Sequence, residues 1–214
     1  MPITHVASFR KYLTERFVNL VHPMAAHFVN GEGDVEKNIA ELTAILREAP
    51  IDVALIGIGE NGHIAFNDPP ADFDTKVAYL VVNLDTACRN QQVGEGWFAT
   101  IDDVPKQAVS MSVYQIMQCE HIISAVPHAE KSWAVANTLN HELTNEVPGT
   151  MLKMHKNFQL FVDANSYATA SFTFYGTGFD VISLTDNDSG ALFVEVRRDE
   201  NSDPIINYVV NNYY

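Results

Sequence analysis

The run DVALIGIG, residues 52–59, constrains this chain more than any other feature. A strand with one wet face alternates apolar and polar residues. A continuous apolar stretch ending in glycines instead suits a strand buried on both faces of a parallel sheet. Its surroundings supply the helices such a sheet needs. Phe9, Leu13, Phe17 and Leu20 recur at helical spacing before Pro23, so residues 8–21 are expected to be helical. Asp34 reads as an N-cap for a second helix, whose apolar stripe is Val35, Ile39, Leu42, Ile45 and Leu46 and whose stop is Pro50. Further strands are expected at 77–84, 108–112, 121–126 and 158–163, with a short helix running to about Gln118. Trp133, Ala136, Leu139 and Leu143 mark a helix after Pro127. This alternation predicts an α/β fold with a mostly parallel sheet and flanking helices.

The pattern changes near Thr169. SFTFYGTG, FDVISLTDNDSG, ALFVEVRR and IINYVVNNYY are strand-like runs, punctuated by the turn clusters Asp188-Ser189-Gly190 and Asn201-Ser202-Asp203-Pro204. Two units are therefore expected: an α/β domain over 1–168, and a small antiparallel β module over 169–214. The module carries no catalytic constellation and reads as a structural appendage. FYGTGFDVIS loosely resembles repeated β modules of bacterial surface proteins.

The 214 residues carry a formal net charge of −14, from 13 basic and 27 acidic side chains. Nucleic acid and anionic membrane surfaces are poor partners for such a chain, because both call for a basic face. A small phosphorylated ligand is compatible, since one or two placed cations and some backbone N–H groups can hold it. No apolar run reaches the roughly 20 residues that span a bilayer. The opening MPITHVASFRKYL lacks a signal-peptide apolar core, so a cytoplasmic location is expected. Cys88 and Cys119 offer neither a disulfide framework nor a metal-ligand spacing, and read as reduced, inert thiols.

The stretch that carries chemistry is IGIGENGHIAFNDPP, Ile56 to Pro70. Gly57, Gly59 and Gly62 satisfy G-x-G-x-x-G after a strand, and Asp85 lies where a ribose-binding acid would follow. That dinucleotide fingerprint needs a helix of about three turns after its last glycine, and Pro69 and Pro70 break the chain too soon. The better reading is a ligand crevice at the carboxyl end of a strand, where glycines let the backbone come close. Into it the loop brings His63, Asn67 and Asp68 within six residues. A histidine can shuttle protons at a sugar ring oxygen, and a carboxylate beside it orients the imidazole.

GIGENGHIAFNDPP resembles the signature loop of the glucosamine-6-phosphate deaminase and isomerase family. SFRKYLTERF, DTACRNQQ, VPKQAVSMSV and AVPHAEKSWAV resemble successive landmarks of that family in the same order, so the likeness covers about residues 8–168. The related 6-phosphogluconolactonases carry a similar loop, but a different run follows their histidine. The resemblance implies an incomplete Rossmann-like deaminase fold and the conversion of glucosamine 6-phosphate to fructose 6-phosphate and ammonia, with no cofactor and no metal. It implies that His63 opens the pyranose ring, with Asp68 in its relay where many members have Glu. Asn61 occupies a further relay position that is often Asp, with Glu60 beside it. Lys131 matches a phosphate-holding lysine; Arg89 lies near a second phosphate-binding position, whose register falls on Gln92. Gly59, Gly62 and Asn67 are expected to line the substrate.

Family members also open with a β-α-β region that carries a phosphate loop and a D-E-Y motif, whose Asp takes the proton from C2. Nothing like either precedes Ser8. The chain is therefore expected to be an N-terminally truncated member, weak or inactive alone unless Glu60 replaces the base. An apolar face left by the absent strands suggests association, in the simplest case with a second copy. The rival readings are lactone hydrolysis and a non-catalytic sugar-phosphate sensor.

Overall fold

The computed structural model describes residues 1–163, together with the backbone of the strands Leu192–Val196 and Ile206–Val210. The first helix forms where expected, as α1 (Phe9–Leu13), one π-helical turn (Thr14–Val18) and α2 (Asn19–Val21). Ser8 caps it, its hydroxyl accepting from the Lys11 N–H. Its apolar stripe is not buried: Phe9, Phe17 and Leu20 are 57%, 52% and 72% exposed. What the helix does touch lies near the glycine loop and beyond it. Phe9 packs on Phe66 with ring centroids 6.0 Å apart, and Tyr12 meets Trp97 edge-on at 6.3 Å. The second helix, α3 (Val35–Leu46), starts as predicted at Asp34, whose carboxylate accepts from the Lys37 N–H at 3.1 Å.

The expected strand over 52–59 is shorter. β1 (Val53–Leu55) carries the regular pairing, and Ile58 makes an isolated antiparallel bridge to Ile64. It is also not buried on both faces. Val53 is 50% and Leu55 76% exposed, while Ala54, Ile56 and Ile58 belong to the core. Exposed and covered residues alternate along it, as in a strand with only one face packed on the core.

β2 (Tyr79–Asn83) and β3 (Gln107–Met111) form at two of the predicted positions but not in the main sheet. They pair with each other antiparallel, with Tyr79 opposite Met111 and Asn83 opposite Gln107. Between them lies α4 (Thr86–Gly94), a helix that apolar periodicity did not announce because only Cys88 on it is buried. α5 (Val113–Ile116) follows β3 and leads to β4 (His121–Ala125). Next come α6 (Ser132–Asn140) and β5 (Phe158–Phe161). β4 lies between β1 and β5, parallel to both, with Ala54 opposite Ile122 and Ser124 opposite Leu160. The core sits against this three-stranded sheet and includes Ile58, Ile64, Val113, Ile116, Ile122, Val135 and Leu152.

In the C-terminal part, β6 (Leu192–Val196) and β7 (Ile206–Val210) pair antiparallel. The other runs read there as strands lie outside the described residues.

Candidate active site

Parallel pairing puts the carboxyl ends of β1 and β4 on the same side of the sheet. The chain leaves β1 into the glycine loop and leaves β4 into the turn that carries Lys131. The loop folds tightly on itself: the Gly59 N–H donates to the His63 carbonyl at 2.8 Å, and Ile64 bridges both Ile58 and Asn67. Two glycines are required for reasons visible here. A Cβ on Gly59 would overlap the His63 ring at Cε1, Nε2 and Cδ2, so Gly59 is the seat of the imidazole. Gly62 has φ +84°, and its carbonyl accepts from the Gly149 N–H at 2.8 Å, tying the loop to the 3-10 turn Pro148–Met154.

His63 is 8% exposed. Its Nδ1 lies 3.0 Å from Asp68 Oδ1, and the two side chains are 10% and 8% exposed. The contact is at ion-pair distance but out of line for a hydrogen bond, so Nδ1 has no aligned partner. Asp68 is held by donors on every side. Asn61 Nδ2 reaches its Oδ1 at 3.3 Å, the Asp85 N–H reaches its Oδ2 at 3.2 Å, and the Cys88 thiol hydrogen-bonds to it. Burial pushes the Asp68 carboxyl up, but His63, the Asp85 N–H and Asn61 together outweigh it and leave the group below the ordinary carboxylate range. Asp68 is therefore ionised at neutral pH.

Asn61 acts as a bracket. Its carboxamide also donates to Asp85 Oδ2 at 3.4 Å, and its oxygen accepts from the His63 N–H at 3.1 Å. Asp85 in turn caps α4, accepting from the Cys88 N–H at 2.6 Å. Sequence reading did not place Cys88 and Asp85 beside this pair. The one available signal was Asp85 placed three residues before Cys88, an N-cap spacing that delivers both to one end of a helix. Burial, then the negative charges of Asp68 and Asp85, push the Cys88 thiol up to about 12.

The remaining expected residues are dispersed. Asn67 is turned into the protein, its Nδ2 donating to the Ile64 and Met111 carbonyls at 2.8 and 2.9 Å and to Ser110 Oγ at 3.3 Å. Arg89 donates to the carbonyls of Ile101 and Val104, which fixes α4 to the following turn and commits its terminal nitrogen to protein oxygens. Glu60 is exposed on the loop, with its backbone N–H donating to Gln91 Oε1 at 3.4 Å. Lys131 closes the short 3-10 turn before α6, and its ammonium has no ion-pair partner among the described residues. A groove lined by Pro70, Asp72, Phe73, Asp74, Leu143 and Asn145 contains none of these side chains.

A buried histidine backed by one ionised carboxylate, on a glycine loop at a strand's carboxyl end, is an arrangement that can do acid–base chemistry. The family model described as glucosamine-6-phosphate isomerases/6-phosphogluconolactonase matches residues 1–161. The chain belongs to that family. It is 32% identical over 157 residues to the glucosamine-6-phosphate deaminase of Streptococcus sanguinis, covering 73% of this chain and 65% of that protein. Against the deaminase of Clostridioides difficile the identity is 34% over 167 residues, covering 76% and 66%. The chain thus spans about two thirds of the length of these curated members. Among solved members, a monomeric glucosamine-6-phosphate deaminase superposes with a TM-score of 0.71 at 27% identity, covering 78% of this chain and 69% of that one. A 6-phosphogluconolactonase from Thermotoga maritima gives 0.60 at 14% identity, which shows the shared fold alone. Among the described residues no helix is long and apolar enough to cross a membrane.

Proposed function

We propose that this chain acts on glucosamine 6-phosphate, converting it to fructose 6-phosphate and ammonia. The observation that carries this is the buried His63–Asp68 pair, bracketed by Asn61 and the backbone of Asp85. His63 exchanges protons between the ring oxygen and the anomeric hydroxyl, opening the pyranose. Its Nδ1 side faces Asp68, so the Nε2 side, seated over Gly59, is the edge left to serve substrate. Asp68 stays ionised and stabilises the imidazolium during the transfer. Lys131, carried at the carboxyl end of β4, holds the phosphate as a point charge. Arg89 is not given that role, because its guanidinium serves the carbonyls of Ile101 and Val104. Glu60 is the candidate acid for the proton at C2.

The lower identity to the lactonases leaves lactone hydrolysis as the weaker reading. The exposed Val53 and Leu55 on the β1 edge support association, which sedimentation of the purified chain measures directly.

The test is ammonia release from glucosamine 6-phosphate by the purified chain, with 6-phosphogluconolactone as the competing substrate. Release is expected to fall about 10²–10⁴-fold in His63→Ala and to drop in Glu60→Gln. Lactone turnover without ammonia refutes the assignment. Ligand-induced thermal stabilisation by glucosamine 6-phosphate without any product points instead to a sensor.

A further inference from the structure

The buried side of His63 gathers more donors than a proton relay needs. His63 Nδ1, an Asp68 carboxylate oxygen and the Cys88 sulfur all lie within 4.8 Å of one another. In a tetrahedral zinc site the ligands sit about 2.0–2.3 Å from the metal, which separates them by roughly 3.3–3.8 Å. The cluster therefore closes on an ion with small side-chain adjustments. Nδ1 is a buried polar atom with no aligned hydrogen bond, and its one close neighbour, Asp68 Oδ1 at 3.0 Å, is itself one of the three candidate ligands. Its direction is fixed, because the opposite edge of the ring is seated against Gly59.

We infer that His63, Asp68 and Cys88 form a binding site for a thiophilic divalent cation of the Zn²⁺ class, and that its occupancy turns off proton transfer by His63. A mixed nitrogen, oxygen and sulfur set selects such ions over Mg²⁺ or Ca²⁺, which prefer oxygen alone. On binding, a metal–sulfur bond forms and the Cys88 thiol proton passes to water, with no change of oxidation state. Imidazole binds through Nδ1, so the proton that Nδ1 holds toward Asp68 passes through water to Nε2, which then carries the ring's one proton. A ring in that state has no lone pair left with which to accept a proton from a sugar. Solvent water completes the tetrahedron. The inhibitory half of the inference rests on the proposed deaminase reading; the cation site itself does not.

Cobalt(II) separates the two. It is titrated into the purified full chain, without substrate, and absorbance is read for the sulfur-to-cobalt charge-transfer band. A band saturating at one ion per chain and displaced by Zn²⁺ is expected. It should vanish in Cys88→Ala and persist in Cys119→Ala, with circular dichroism verifying that each variant is folded. No band from folded wild-type chain, or a band that survives Cys88→Ala, overturns the site. In parallel, Zn²⁺ should suppress ammonia release and a chelator should restore it. A normal band with turnover indifferent to Zn²⁺ overturns the inhibitory half. Absence of turnover with a normal band sinks the deaminase reading and leaves the cation site standing.

Discussion

Asp68→Asn is the substitution that tests the site's electrostatics most directly, because it changes charge at nearly constant shape. Every group around Asp68 is a donor: His63, Asn61 Nδ2, the Asp85 N–H and the Cys88 thiol. An asparagine carboxamide turns its own NH₂ toward one of them, whichever way it is flipped. One buried donor is left facing another, at a cost of about 1–3 kcal/mol. The three bonds that survive lose their charge assistance, which is worth about 0.5–1.5 kcal/mol each. The contacts at 3.2 and 3.3 Å are long, so the lower end of each range applies. The expected loss at pH 7 is about 3 kcal/mol, inside the range for removing one partner of a buried pair.

The pH dependence follows from the direction of the Asp68 shift. Its carboxyl lies below the ordinary range in the folded chain, so its stabilisation is complete above the unfolded value of about 3.9 and is lost as pH falls through the folded value. A protonated Asp68 is itself a donor among donors, much as the substituted carboxamide is. Urea unfolding followed by tryptophan fluorescence is the assay. At an m-value of about 2 kcal/mol/M the midpoint should drop by about 1.5 M at pH 7. The gap should shrink steadily as pH is lowered below about 4. Equal midpoints at pH 7, or a gap that widens in acid, refute the reasoning.

Three more outcomes are expected. Gly59→Ala forces the His63 ring off its seat; ammonia release should fall about 10²-fold or more, with a loss of about 1–3 kcal/mol in thermal unfolding. Asn67→Ala removes three donor contacts from a buried carboxamide; it should cost about 2–3 kcal/mol in urea unfolding, and substrate KM in the surviving folded fraction should stay unchanged. Lys131→Ala should raise KM at least about tenfold and leave urea unfolding within about 0.5 kcal/mol, since its ammonium is bound to no described carboxylate.

Much of the fold was legible because local signals and tertiary structure agreed. Asp34 opens α3 where a cap with an apolar stripe behind it should, and β4 and β5 form where short apolar runs predicted them. The failures have a common cause, which is that a strand's sequence does not name its partner. Residues 79–83 and 107–111 were recognisable as strands, but their antiparallel pairing away from the parallel sheet depends on where α4 carries the chain between them. Leu55 looked like a doubly buried residue because a continuous apolar run was read as covered on both faces, whereas its side chain lies on the open face of β1. At the site, His63 and Asp68 stood out, being a proton carrier and an acid in a glycine loop. Asp85 and Cys88 did not, because they arrive from a separate helix whose only buried residue is the cysteine itself.

The asparagine at position 61 makes physical sense once these neighbours are counted. A carboxylate there would lie about 3.3 Å from Asp68 and 3.4 Å from Asp85. Two like charges at that separation repel by about 5 kcal/mol at an effective dielectric constant of about 20, and a third charge adds to it. Such a cluster would hold a proton and pull Asp68 away from its ionised state. Asn61 instead gives each acid an N–H donor, and the Asp85 backbone gives Asp68 another. The imidazole then faces one full negative charge, held ionised by neutral donors. Hydrogen bonds here stand in place of the charge of a second acid. The same donor-rich packing brings the Cys88 sulfur against the carboxylate, where it remains a thiol unless a cation displaces its proton.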